Sequence, residues 1–184
     1  MKDEFIPIVN KHDRVLKYLS GKEKIHSQGL RHREVVVYIL DTKNQILVQE
    51  RRDNGTLDHS VAGHVRKGET YLHAALREIE EEVGLKLKPH DLKKIGKFYH
   101  RTFSSHKNLY NDRFFGLFLV RRRFSPKDLK PSKREVKSLK FITEKNLRRL
   151  MRQKPLAFEG GFMVSFPIFY QIFKELSIKD LTKD

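Results

Sequence analysis

The sequence predicts an α/β/α sandwich around a mixed β-sheet. Three observations carry this. Short β-branched runs recur along the chain. Two or more later segments carry apolar residues at helical spacing. Strands and helices interleave without the regular alternation of repeated βαβ units.

From Glu4, the apolar residues Phe5, Ile6, Ile8 and Val9 lead into a polar Asn10-Lys11-His12-Asp13 turn. Val15, Leu16, Tyr18 and Leu19 follow, which reads as a hairpin. Glu34 to Leu40 is a β-branched run expected as a buried strand, and Gln45 to Glu50 a second strand beyond an Asp41–Asn44 turn. Asn54-Gly55 marks another turn. Between Glu69 and Val83, apolar Leu72, Ala75, Leu76, Ile79 and Val83 fall on one helical face, and Gly84 stands where a helix terminator belongs. Further strands are expected at Lys94–His100, Phe114–Val120 and Val136–Ile142. A helix is expected to open near Thr143, and an aromatic-rich helix to cover Phe166 to Leu176. With 184 residues the chain suits a single domain over 1–184. Within it, 1–30 forms an N-terminal hairpin extension, 63–85 a loop and helix, and 155–184 a C-terminal helix.

The chain has no cysteine, which excludes disulfides, thiolate–zinc sites and cysteine nucleophiles. Its N-terminus lacks the long apolar stretch of a signal peptide, and no apolar run reaches membrane-spanning length. A cytoplasmic protein with no membrane partner is therefore the expectation. Net charge is +16, and residues 121–154 hold 14 Lys/Arg against 3 Asp/Glu. Such a surface attracts anions, RNA among them, although solubility alone accounts for it equally well.

The chemistry concentrates in Gly63 to Leu85. On a helix, Glu78, Glu81 and Glu82 share one face, apart from the apolar stripe, so that this face need not be buried. Three adjacent carboxylates repel one another, and hard divalent cations with oxygen ligands offset that repulsion. Arg77 is within i,i+4 reach of Glu81 and can orient it. A glutamate run by itself is more often a solvated face. The flanking loop glycines Gly63 and Gly68, with Glu69 and Arg77-Glu78 at fixed distances, change that balance.

The spacing is Gly-x5-Glu-x7-Arg-Glu-apolar-x-Glu-Glu-x-Gly-apolar, and it resembles the Nudix box with every specified position matched. The resemblance implies a Nudix fold and hydrolysis of a diphosphate linkage in a small-molecule nucleoside diphosphate derivative. It implies Mg2+ or Mn2+ held by Glu78, Glu81 and Glu82, with the Gly63 carbonyl a further candidate ligand, and Glu69 and Arg77 in support. Glu135 is the candidate general base outside the box, because members of the family often carry a Glu-Val pair before the penultimate strand. An ordinary surface glutamate is its competing reading. Arg51, Arg52 and Arg66 are candidate phosphate ligands, each equally readable as an ion-pair partner, and His64 is a candidate substrate contact.

The flanks look like the isopentenyl-diphosphate isomerase side of the superfamily: His26, Gly29-Leu30-Arg31-His32-Arg33, Ile46-Leu47-Val48-Gln49, and Ala62-Gly63-His64. Where the isomerase has a cysteine before its Gly-His pair, this chain has Ala62. Where the isomerase has paired glutamates, it has Asn111 and Arg113. These departures point to hydrolysis on an isomerase-like scaffold. His26, His32 and His64 approximate the isomerase's metal histidines. A structural or substrate-contact role is favoured for His32 and His64, because those glutamates are missing. Tyr99, His100, Phe103 and Phe115 are placed to stack a base or pack the core, with core favoured for Phe115. A homodimer and RNA 5'-end chemistry are left open.

Overall fold

The computed structural model describes residues 4–104, 109–124 and 128–181, with side chains omitted at 103, 104, 109 and 176–181. In chain order the elements begin with β1 (Phe5–Val9), β2 (Val15–Ser20), α1 (Lys22–Ser27), β3 (His32–Leu40) and β4 (Ile46–Arg51). They continue with β5 (Leu57–Asp58), β6 (Val61–His64), α2 (Tyr71–Val83), β7 (Lys93–Ser104) and β8 (Leu109–Arg121). Last come β9 (Val136–Ile142), α3 (Glu144–Gln153) and α4 (Gly160–Leu181).

Strand β3 is the centre of the sheet. It runs parallel to β8 along its whole length, from His32 beside Arg113 to Leu40 beside Arg121. Elsewhere it meets β1 at His32, β6 across residues 34–37 and β4 at Leu40, all antiparallel. The sheet is therefore mixed, as expected. Because successive strand residues point to opposite faces, the β-branched run of β3 feeds two cores. Val35, Val37 and Ile39 pack with Ala74, Ala75, Ile79 and Val83 of α2. Val36, Tyr38 and Leu40 pack with Leu147 and Met151 of α3 and with Phe162, Phe166 and Phe169 of α4. Helices thus cover both faces of the sheet.

Helix α2 opens at Thr70, whose side chain accepts from the His73 amide, and closes at Gly84 with φ 75°. Thr143 caps α3 in the same manner. The N-terminal hairpin forms, with Asn10 Oδ1 accepting from the His12 and Arg14 amides in its turn. Three expectations need correction. Residues 22–27, inside the N-terminal extension, form a helix that was not foreseen; its single buried residue, Ile25, packs with Ile6 and Ile8. The C-terminal helix starts at Gly160, not Pro155 or Phe166, after a 3-10 turn at Pro155–Ala157, and it accommodates Pro167. Strands β7 and β8 run 12 and 13 residues, longer than expected, because each pairs with the other well past its apolar stretch. Among the described residues, no helix is long and apolar enough to cross a membrane.

Candidate functional site

The loop between β6 and α2 and the inner face of α2 build the site. Gly63 lies so close to α2 that a Cβ there would sit 2.2 Å from Glu78 Cδ. Only glycine lets the strand approach the carboxylate in this way. Glu78 and Glu82 are buried, at 9% and 8% exposure, whereas Glu81 is exposed. This corrects the expectation that the carboxylate face need not be the buried one. The solvated-face reading describes Glu80 and Glu81 alone.

Burial pushes the Glu78 carboxyl up to about 7 against the pull of Arg77, with Glu81 adding to the rise. Burial also drives Glu82 well above the carboxylate range, and the nearby charges of Glu78, Asp58 and Glu135 push the same way. Two polar groups face Glu82: Gln49 Nε2 donates at 3.1 Å and the Ala62 amide at 3.4 Å. Two raised carboxyls beside an exposed third are an all-oxygen donor set, and among the described residues Glu82 has no cationic partner. That set, with the Gly63 backbone against Glu78, fits a hard divalent cation.

Arg77 is the fixed cation of this cluster. It donates to Glu69 through Nε at 2.7 Å and Nη2 at 3.0 Å, and to the His64 carbonyl at 2.8 Å. Its Nη1 lies 2.6 Å from Glu78 and 3.1 Å from Glu81. Burial would raise the Glu69 carboxyl, but hydrogen bonds from Arg77 and the Arg66 amide hold it below its ordinary value. Arg66 grips Glu81 with both terminal nitrogens at 3.0 Å and also reaches Glu4. Glu135 is exposed, close enough for its charge to bear on Glu82. Arg52 is exposed, and Arg51 is engaged by Asp53, Asp58 and Glu159 at 2.9, 3.4 and 3.9 Å. Phe115 is buried in the core, Tyr99 is exposed beneath the Arg31 guanidinium, and His100 is half-buried. The side chain of Phe103 lies outside the described residues.

The three histidines converge. His26 Nε2 lies 3.1 Å from His64 Nε2, and His32 Nε2 lies 3.1 Å from Glu34 Oε1. All four residues offer ligand atoms within 4.8 Å of one another. Carbonyls of Tyr110 and Leu30 face His26 Nδ1 and His32 Nδ1 at 3.3 and 2.8 Å, which leaves both Nε2 atoms aimed inward. Burial lowers His64 to about 3 and also lowers His26, which favours the neutral imidazole at both. Glu34 was missed in the sequence. The signal was there: it is two residues beyond His32 on a strand, hence on the same face. Arg113 holds the Glu34 carboxylate at 2.6 Å and, with His32, keeps it well below its ordinary range despite burial.

A second unforeseen network lies behind the site. His59 Nδ1 is 2.7 Å from Asp58 Oδ1, His59 Nε2 is 2.6 Å from Ser165 Oγ, and Ser165 Oγ is 2.7 Å from the Tyr38 hydroxyl. All four residues are buried.

The NUDIX domain family model matches residues 30–159. Over 161 residues the chain is 31% identical to isopentenyl-diphosphate Delta-isomerase 2 of Photorhabdus laumondii, covering 83% of this chain and 85% of that protein. It is 29% identical over 167 residues to Nudix hydrolase 3 of Arabidopsis thaliana, covering 86% of this chain but only 22% of the larger plant protein. Among solved structures, DR0079 of Deinococcus radiodurans aligns with a TM-score of 0.64 at 19% identity, over 82% of this chain and 90% of that one. On the match over residues 30–159 and the likeness along most of its length, the chain belongs to the NUDIX domain family.

Proposed function

We propose that this protein hydrolyses the diphosphate linkage of a nucleoside diphosphate derivative by water attack on phosphorus, using Mg2+ or Mn2+ at the α2 carboxylates. The observation that supports it most is the pairing of buried Glu78 and Glu82 with exposed Glu81 against the Gly63 backbone. Glu78, Glu81, Glu82 and the Gly63 carbonyl would hold the cations. When bound, those ions neutralise charge on the phosphate oxygens and activate water. Arg77 aims Glu78 and Glu81, and Glu69 fixes Arg77. Glu135 stands as the group outside the helix to receive a proton. Arg52 and Arg66 are the candidate phosphate contacts, and His64 is a candidate substrate contact. Three carboxylates already claim Arg51, which favours a scaffold role for it.

A panel of nucleoside triphosphates, nucleotide sugars, dinucleotides, capped RNA and isoprenoid diphosphates, assayed with Mg2+, tests this reading. Glu82→Gln is expected to lower kcat by about 10²–10⁴ on whichever member is cleaved. Equal activity in the two proteins would sink the proposal. The isomerase reading, which the Photorhabdus relative keeps in view, requires acid–base groups at two places. Here Ala62 occupies one, and Arg113, paired to Glu34, occupies the other. No proton exchange into isopentenyl diphosphate is expected. The convergence of His26, His32, His64 and Glu34 favours a second metal at that cluster, one suited to imidazole ligands. Metal analysis of the purified protein beside His32→Gln tests it: equal metal content would remove the second site.

A further inference from the structure

Two guanidinium groups sit on Glu81, and they are held very differently. Arg77 is anchored by both Glu69 oxygens and by the His64 carbonyl, so its place is set without Glu81. Among the described residues Arg66 has only carboxylates for its terminal nitrogens: Glu81, gripped at both oxygens, and Glu4 on the segment leading into β1. Its Nε–H is buried and has no acceptor among the described residues. A guanidinium normally fills its buried donors.

A divalent ion shared by Glu78, Glu81 and Glu82 needs Glu81 oxygen lone pairs and is repelled by a cation lying across them. Of the two arginines, Arg66 has less to lose by leaving. The N-terminal hairpin supplies the place to go. The Lys67 amide donates to the Phe5 carbonyl at 2.7 Å, and Lys67 lies over the Tyr18 ring at 5.3 Å, so Glu4 is kept beside the loop when Arg66 turns.

Resting on the hydrolase reading above, we propose that Arg66 is a built-in counter-cation of the carboxylate cluster, seated on Glu81 until a divalent ion displaces it. Once displaced, it stays paired with Glu4 and turns its freed donors to the phosphate oxygens of substrate. Arginine suits this exchange because one planar fork matches both a carboxylate and a phosphate. The same side chain thereby opposes metal binding in the absence of substrate and assists phosphate binding afterwards.

Mg2+ titration followed by amide shifts of Gly63 and Gly68 in the 15N-labelled full chain tests this without turnover. Mg2+ prefers oxygen ligands and so reports the glutamates and not the histidine cluster. Arg66→Gln is expected to bind Mg2+ roughly three- to tenfold more tightly than wild type, the scale of losing one two-pronged competitor. Arg66→Lys, which keeps the charge but not the fork, should fall between. Glu4→Gln removes a contact that Arg66 keeps in both positions and should leave Mg2+ affinity within about twofold of wild type. Wild-type or weaker affinity in both Arg66 variants overturns the proposal. Glu82→Gln separates the two failures: if it too binds Mg2+ like wild type, the metal is not at these glutamates and the hydrolase reading itself fails.

Discussion

At the scale of single residues, identity and environment contribute separately. The glutamate spacing in residues 78–82 was readable at once, as was Ala62 at the position where the isomerase has a cysteine. What the spacing did not reveal was that Glu78 and Glu82 go inside. Helical geometry places them off the apolar stripe, but the Gly63 strand and Gln49 of β4 close over that side of α2. The consequence can be measured. Glu78 titrates near 7 in the fold against 4.5 as its ordinary value. A raised carboxyl stabilises the fold below about pH 4.5, and that contribution is lost as pH climbs through about 7. The metal-free protein is therefore expected to lose stability on the order of 2 kcal/mol between pH 5 and 7.5. Glu78→Gln should flatten that slope in thermal melts, and a slope equal to wild type would contradict the burial of Glu78.

At the scale of elements, caps and close approaches set the geometry. Gly84 ends α2 at φ 75°, and a Cβ there would stand 2.8 Å from the Lys130 carbonyl oxygen. Gly84→Ala combines backbone strain with a clash and is expected to cost about 1–3 kcal/mol in denaturant unfolding. Thr70→Ala removes only the cap hydrogen bond and should cost about 1 kcal/mol. Gly63→Ala is a different kind of change, because the obstacle is the Glu78 carboxylate itself. It should displace that side chain and weaken Mg2+ binding at least tenfold while the melting temperature falls only a few degrees; unaltered Mg2+ affinity would count against the site. Elements with strong periodicity or clear caps, such as α2, α3 and β3, were legible in advance. Helix α1 was not, since only Ile25 of its six residues is buried and so leaves no apolar stripe to read. The early start of α4 was hidden by Gly160-Gly161 and Pro167, which weigh against helix locally. The contacts of Phe162, Phe166 and Phe169 with the sheet override that weight.

At the scale of the whole molecule, the two faces of the sheet have different tasks. The α2 face carries the carboxylates. The α4 face is pinned by an aromatic ladder, with Tyr38 stacked on Phe169 at 4.1 Å, and by the His59–Ser165–Tyr38 hydrogen bonds. Ser165→Ala would leave two buried polar partners unsatisfied and is expected to cost about 1–3 kcal/mol of unfolding free energy. A change below about 0.5 kcal/mol would mean that the network is dispensable. The sequence by itself determined the family, the carboxylate helix and the layered α/β plan. Each of these rests on short-range spacing, which a linear chain records directly. Only the tertiary structure decided that Glu34 joins His26, His32 and His64, that Arg113 neutralises Glu34, and that Arg66 lies across Glu81. Those contacts join α1, β3, β6, β8 and the loop before α2, and their energies depend on burial and distance that the chain acquires only when the strands pair.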